Sequence, residues 1–347
     1  MAYITGAQTN IILKQGSTYE TAVEGATGDK LIDVQVTPST SAVIGEANGI
    51  GSGLTMAQDV DKLREDFGLT LAQSARYDDA GLSRVMALFL GAVTAPVEQN
   101  TGEGDYLHKF YHSATANKFC TVAYNSDSAG VFEYPSCYVR SVSITTGQTP
   151  GYLNWTSDLL ANDQDITSTV NDTASLAAST VLGSTKVVHS VTAGKLWINA
   201  QGGDALDSGD AINADTVTIN YSKPKILVNT FGTSEVINDD LFTAELVITF
   251  PTLKDLTYFT AQQAGTAYKA LFFVEGSQIG AGDNNTIAFA FPKLKVLDRP
   301  QYAVTDSGAN PLSVTLRAFA ATANPTGMDY TTPYGYVINA NSAALIS

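Results

Sequence analysis

Charge is scarce in this chain of 347 residues: Asp, Glu, Lys and Arg make up 15% of it, against about 25% in an average globular domain. Basic residues are the scarcest part, with 19 Lys and Arg against 34 Asp and Glu, a formal net charge of −15. Gripping nucleic acid requires Lys and Arg to neutralise phosphates and release counterions, so that class of function is excluded. Cysteine is rarer still. Cys120 and Cys137 make no disulfide framework, and both sit in strand-like apolar or aromatic runs, which predicts buried thiols. No apolar run approaches the ~18–20 residues of a membrane span. The strongest, Leu271-Phe-Phe-Val274, is strand-sized. Met1-Ala-Tyr-Ile-Thr5 has no basic region and no apolar core, so no secretory signal is expected and synthesis in a cytoplasm is.

What is present is apolar and aromatic: 44% hydrophobic residues, 32 of them Phe, Tyr or Trp, enough to exclude a disordered chain. They fall in short alternating runs cut by Gly, Asn, Asp, Ser and Thr. Lys30-Leu-Ile-Asp-Val-Gln-Val36, Thr216-Val-Thr-Ile-Asn-Tyr221, Ala244-Glu-Leu-Val-Ile-Thr-Phe250 and Leu312-Ser-Val-Thr-Leu316 have the period-2, β-branched signature of strands. Strands do not alternate with long helices, which disfavours a doubly wound α/β sheet. Two helices stand out. Asp78–Leu90 opens on carboxylates suited to an N-cap and ends at Gly91, with Leu82, Val85, Met86 and Phe89 on one face. Asp255–Ala264, closed by Gly265, is shorter. Each is expected to cover one face of one sheet.

The order of elements recurs. A strand precedes each helix (Phe67–Leu71, Leu246–Phe250) and a strand carrying a central proline follows, Val131–Val142 with Pro135 and Ile287–Leu297 with Pro292. The prolines are 157 residues apart. The pattern predicts a duplicated β-rich domain, 1–161 and 185–347, with 162–184 as an exposed linker or solvent-exposed excursion rich in Asp, Thr, Ser and Ala. The two halves carry net charges of −8 (1–161) and −7 (162–347), so the acidity belongs to a repeated surface and not to a tail. Thr37–Thr55 and Ala320–Pro333 read as long irregular loops of the kind a partner surface orders.

A catalytic centre is hard to assemble from these residues. His108 and His112 have the i, i+4 spacing of two helical metal ligands, yet Tyr106-Leu-His-Lys-Phe-Tyr-His112 reads as a strand without a third ligand; a solvated or edge-strand pair is expected. His189 is isolated, and nothing in the sequence brings it to a cysteine. Asn48-Gly-Ile-Gly-Ser-Gly53 lacks the Lys-Ser/Thr of a phosphate loop. Asp204, Asp207 and Asp210 leave two readings open, a cation loop and a plain acidic turn, although their spacing is not that of a calcium hand. Asp78-Asp79 and Asp239-Asp240 fit helix or turn initiation. The expectation is no enzyme, no cofactor and no metal.

Taken together, the Asp79–Leu90 helix, Tyr106-Leu-His-Lys-Phe-Tyr-His112 and Phe132-Glu-Tyr-Pro-Ser-Cys-Tyr-Val-Arg-Ser-Val-Ser-Ile144 resemble the tail tube (major tail) proteins of long-tailed bacteriophages. There, a Tyr-x-His-x-Phe pattern precedes a Tyr-x-Gly/Ser-Cys-x-Val-x-Ser block; Ser136 stands where the family often has Gly. Ala323-Asn-Pro-Thr-Gly-Met-Asp-Tyr330 and Gly335-Tyr-Val-Ile-Asn339 also look like endings in this group. The resemblance implies β-sandwich or barrel-type tube domains, each with one flanking helix. It implies a structural virion protein in the phage tail, polymerised as stacked rings into a hollow tube through which DNA passes on ejection. A tape measure protein and tail terminator and distal tail proteins would be its partners. Two tube domains per chain would make trimeric, pseudo-hexameric rings; one composite domain per chain would make hexameric rings. Asn48, Gly51, Gly53, Pro96, Glu103, Pro325, Tyr330 and Tyr334 would lie in inter-ring or inter-subunit loops. An acidic lumen wall, repelling the duplex over about a Debye length of ~8–10 Å, would keep it from sticking. The alternative is a capsid-decoration or adhesin-like β-domain protein that binds a surface partner; a hydrolase whose residues converge only in space is weaker.

Overall fold

The computed structural model describes residues 10–47, 59–77, 80–113, 118–126, 130–146, 151–181, 187–230, 233–239, 241–252, 256–302 and 311–346. Strands dominate. The first third holds β1 (Ile11–Gln15), β2 (Thr27–Leu31), β3 (Gln35–Pro38), β4 (Ser41–Ala47), β5 (Asp59–Ser74), helix α1 (Leu82–Leu90), β6 (Gly91–Val93), β7 (Val97–Glu98) and β8 (Tyr106–His112). Then come β9 (Cys120–Ser126), β10 (Gly130–Thr146), β11 (Leu153–Ala161), α2 (Thr173–Ala178), β12 (Thr180–Val181), α3 (Ser190–Ala193), β13 (Gly194–Ala200) and β14 (Thr216–Ser222). The last third has β15 (Lys225–Thr230), β16 (Thr233–Asp239), β17 (Thr243–Phe250), α4 (Thr257–Ala264), β18 (Ala267–Gln278), β19 (Asn284–Val296), β20 (Gln301–Tyr302), β21 (Leu312–Ala318) and β22 (Tyr334–Asn339).

The expected mainly-β, sandwich-like fold is what forms. One layer runs β3–β5–β11–β10–β14–β17–β21, all antiparallel, with β20 on its outer edge. The other runs β13–β18–β19–β22–β8, with β6 and β7 side by side along β8. Residues Leu294–Val296 of β19 cross over to pair β21, which joins the layers at a corner. A smaller sheet, β2–β1–β9, hangs from the first half of β10. Strict alternation places Val217, Ile219 and Tyr221 of β14 inward and Thr216, Thr218 and Asn220 outward. The layers meet through aromatic rings: Tyr221 lies 6.1 Å from Phe291 and 6.5 Å from Phe289, which touches Phe110 of β8 at 6.3 Å. At about 25 cal/mol per Å² of apolar surface removed from water, such rings supply much of the stability.

The proline repeat has a local structural counterpart. On β10, Tyr134 pairs Val122 and Cys137 pairs Cys120, so Pro135 and Ser136 together oppose Thr121. On β19, Phe291 pairs Ala270 and Leu294 pairs Tyr268, so Pro292 and Lys293 together oppose Lys269. Each proline opens a two-against-one bulge, where a strand can give up a ladder N–H and bend. Past its bulge, each long strand changes neighbour: β10 from β9 to β11 and β14, and β19 from β22 to β21.

The two halves share one sheet and one core. β10 pairs β14 and β8 pairs β22 across the midpoint of the chain, and a single buried cluster includes residues from Ile11 to Ile346. Residues 162–181 form a largely exposed excursion that is tied back to the sheet at several points and is not a free linker. Asp165 exchanges both backbone hydrogen bonds with Glu133, Leu176 of α2 is buried, and Thr180–Val181 lie parallel to β2.

Helix α1 departs from the expected amphipathic cover. Asp78 and Asp79 lie outside the described residues; the N-cap is Gly81, without a side-chain cap. All nine helical residues are buried, as in a helix enclosed on every side. Gly91 ends the helix at φ +90°, donating its N–H to Ala87 O, a conformation glycine adopts without a Cβ penalty. Helix α4 likewise ends at Gly265 (φ +65°), but only Ala261 of it is buried. Its expected opening residue, Asp255, also lies outside the described residues.

Candidate assembly surfaces

His108 is not a solvated or edge-strand residue, whereas His112 is half-buried at the end of β8. β8 is flanked on both sides, and His108 is fully buried, its Nε2–H donating to Asn341 O at 2.8 Å. Burial holds its pKa below the ordinary histidine value. His112 stacks on Phe242 at 4.7 Å and 11°; its pKa is lowered by burial and then by the Lys223 charge. In the Tyr106-x-His108-x-Phe110 pattern, alternation sends His108 and Phe110 into the interior, so the motif is a packing motif. His189 packs edge-on against Tyr152 at 4.8 Å. Cys120 and Cys137 are free, buried thiols, as their surroundings in the sequence predict.

Backbone carbonyls beside the acidic turn hold a cation from within the chain. Lys269, fully buried opposite the Pro292 bulge, donates its ammonium to Gly203 O at 2.9 Å and Thr326 O at 3.0 Å. Burial holds its pKa below the ordinary lysine value, and the Asp210 and Asp204 charges partly offset this. Asp207 Oδ1 accepts from Gly209 N at 2.7 Å, and Asp210 Oδ2 accepts from Asp207 N at 3.2 Å, so these carboxylates are committed to local backbone. Among the described residues, no three His, Cys, Asp or Glu side chains gather as a metal site.

The loop candidates divide. Asn48, Gly51 and Gly53 lie outside the described residues. Pro96 is half-exposed between β6 and β7. Glu103 is tied to its own chain: its Oε2 accepts from Ala281 N at 2.7 Å, next to Asp105 accepting from Asp283 N at 2.8 Å. Hydrogen bonds from Asn100 and Asp283 hold the Asp105 carboxyl down at about 2 although burial raises it. The turn around Pro325 closes by Met328 N donating to Pro325 O. Tyr330 stacks on Tyr111 at 4.4 Å, while Tyr334 is buried, its hydroxyl accepting from Asp329 N. Beside them, Lys109–Asp329 at 3.0 Å rims a cavity of about 280 Å³ floored by Leu107, Leu271 and Ile338.

Three surfaces escaped the sequence reading. Among the described residues, the first half of β5, Asp59–Asp66, pairs β4 alone, beyond the last residue that β11 reaches, Phe67. This leaves a two-stranded ribbon about 26 Å long at ~3.3 Å per residue. A second ribbon, β15–β16, has no third strand among the described residues. The third is the outward face of the first layer, which is hydroxyl- and amide-rich. Ser143 donates to Asn220 at 2.8 Å and Ser74 to Asn154 at 2.9 Å across strands. Its charges are offset in place, Arg140 bonding Asp158 at 2.7 Å and Glu245 standing directly opposite Arg317. The alternation was visible in the sequence; the joining of these strands into one face was not.

Comparison with known proteins identifies no relative: no family model and no curated protein matches the chain.

Proposed function

We propose that the chain is a structural subunit of a phage tail tube, polymerising as stacked rings around a channel that DNA traverses. The observation that carries this reading is the pair of ribbons projecting beyond the sandwich. A two-stranded ribbon is marginally stable in water and gains from a third strand or a packed face. Two such ribbons, without a third strand among the described residues, suit repeated contacts between copies, and ring closure would pair their edges. One core per chain favours six chains per ring, the composite-domain arrangement, over three. The hydroxyl-rich face suits the channel wall. Its opposed charges offer a polyanion no grip. A tape measure protein and tail terminator and distal tail proteins belong to the same proposal. Among the described residues no helix is long and apolar enough to cross a membrane.

Negative-stain microscopy of the purified full-length chain tests the proposal. Spontaneous rings or tubes are expected, with sixfold symmetry on image classification. Dispersed monomers or simple trimers would instead favour the decoration or adhesin reading, for which the tyrosine-edged cavity is the natural binding surface.

A further inference from the structure

Cys120 and Cys137 are direct cross-strand partners on β9 and β10. Cα atoms so paired stand about 4.5–5.5 Å apart, inside the roughly 4.4–6.8 Å that a disulfide spans. Both residues are fully buried, and Cys137 lies immediately past the Pro135–Ser136 bulge. The Cys120 Sγ is 3.6 Å from Cys137 O, and the Cys137 Sγ is 3.2 Å from Tyr134 O. Each thiol therefore reaches over the partner strand's register or its own bulge, with the other sulfur beside it. Burial, and then the Cys120 thiol beside it, pushes the Cys137 thiol well above its ordinary pKa, which makes it slow to react.

We propose that Cys120 and Cys137 are a modification site, at which a peroxide-class oxidant joins the two thiols into a disulfide tying β9 to the bulge of β10. In the first step a thiolate sulfur attacks hydrogen peroxide. The O–O bond breaks, an S–O bond forms, and sulfenic acid and hydroxide result. In the second step the neighbouring sulfur attacks the sulfenic sulfur. An S–S bond forms, the S–O bond breaks, and the departing hydroxide takes the thiol proton as water. The balance is two thiols and one peroxide to one disulfide and two waters. Peroxide is nearly as small as water and can reach a site that bulky disulfide reagents cannot. A sulfenic acid formed there meets a thiol before it meets a second peroxide.

The test treats the folded full-length protein with millimolar hydrogen peroxide, denatures it in N-ethylmaleimide and maps the peptides by mass spectrometry. A species two hydrogens lighter is expected, with Cys120 and Cys137 in one cross-linked peptide. Its unfolding midpoint should lie roughly 5 °C higher and return to the starting value with dithiothreitol. In Cys120→Ser, the remaining Cys137 should go on to sulfinic acid instead. Two maleimide-labelled thiols after a day's exposure of the wild type, or sulfinic acid on either of its cysteines, would overturn the proposal whether or not the variant folds.

Discussion

The Arg84 guanidinium meets the Asp29 carboxylate at 2.7 Å with both side chains 10% exposed or less. The same guanidinium donates to Leu13 O at 2.8 Å and Leu345 O at 3.1 Å, so one helical residue fastens β1, the β2 strand and the C-terminal segment to α1. Removing one member of a buried pair costs about 3–5 kcal/mol, because the other charge stays buried. Arg84→Leu should fall toward the lower end of that range, because Lys14 Nζ stays 3.2 Å from the Asp29 carboxylate. Asp29→Asn should cost less, since it leaves the arginine its two carbonyl partners. Urea unfolding of both variants measures the order; equal costs would show that the carbonyl contacts contribute nothing.

Lys269→Met keeps the stem of the side chain but strands Gly203 O and Thr326 O without their donor. At about 1–3 kcal/mol for an unsatisfied buried group, a loss of roughly 2–3 kcal/mol is expected. Limited proteolysis should show new cleavage near residues 201–210 and 322–330. Millimolar calcium should leave the wild-type midpoint where it is, because the Asp207 and Asp210 carboxylates are committed to backbone N–H groups.

Ser136 holds φ +52°, a left-handed conformation, and its Oγ accepts from Glu20 N at 2.8 Å. Ser136→Gly relieves about 1–2 kcal/mol of backbone strain while losing one hydrogen bond of similar size, so its stability should stay near that of wild type. Ser136→Ala loses the bond and keeps the strain. It should be less stable than the glycine variant by roughly 1 kcal/mol or more, read from thermal midpoints under one condition.

Both His108 and His112 have pKa values held below the ordinary value of 6.5, with burial the main cause. The unfolded chain therefore binds protons that the folded chain refuses. Stability should be level above about pH 6.5 and fall as pH drops from there toward the folded pKa values. His108→Gln should flatten that decline. An unchanged slope would place the titrating groups elsewhere.

The alternating runs Thr216–Tyr221 and Ala244–Phe250 fold as strands because period-2 burial is a local property. Pro135 and Pro292 marked bulges for a similarly local reason: a residue without an N–H must sit where the ladder gives one up. The surroundings of α1 were not legible. Arg84 looks like a solvent-side residue until Leu345, 261 positions away, supplies its carbonyl. His108 looks like an edge histidine until β22 arrives on one flank of its strand. The sharing of a sheet between the halves has the same origin, since pairings such as Lys109 with Tyr336 leave no mark in either segment alone. Outside the hydroxyl-rich face, what marks the proposed assembly surfaces is backbone unpaired among the described residues, and composition carries no record of that.

The pairing of β8 with β22 also sets a clock on biosynthesis. Residue 112 leaves the ribosome 227 residues before residue 339 does, which at 5–20 residues per second is roughly 10–45 s. Throughout that interval β8 presents an aromatic strand with one flank open, shielded only by the short β6 and β7. The nascent chain is then most exposed to mispairing with its own copies, the same partners that the finished subunit is proposed to seek.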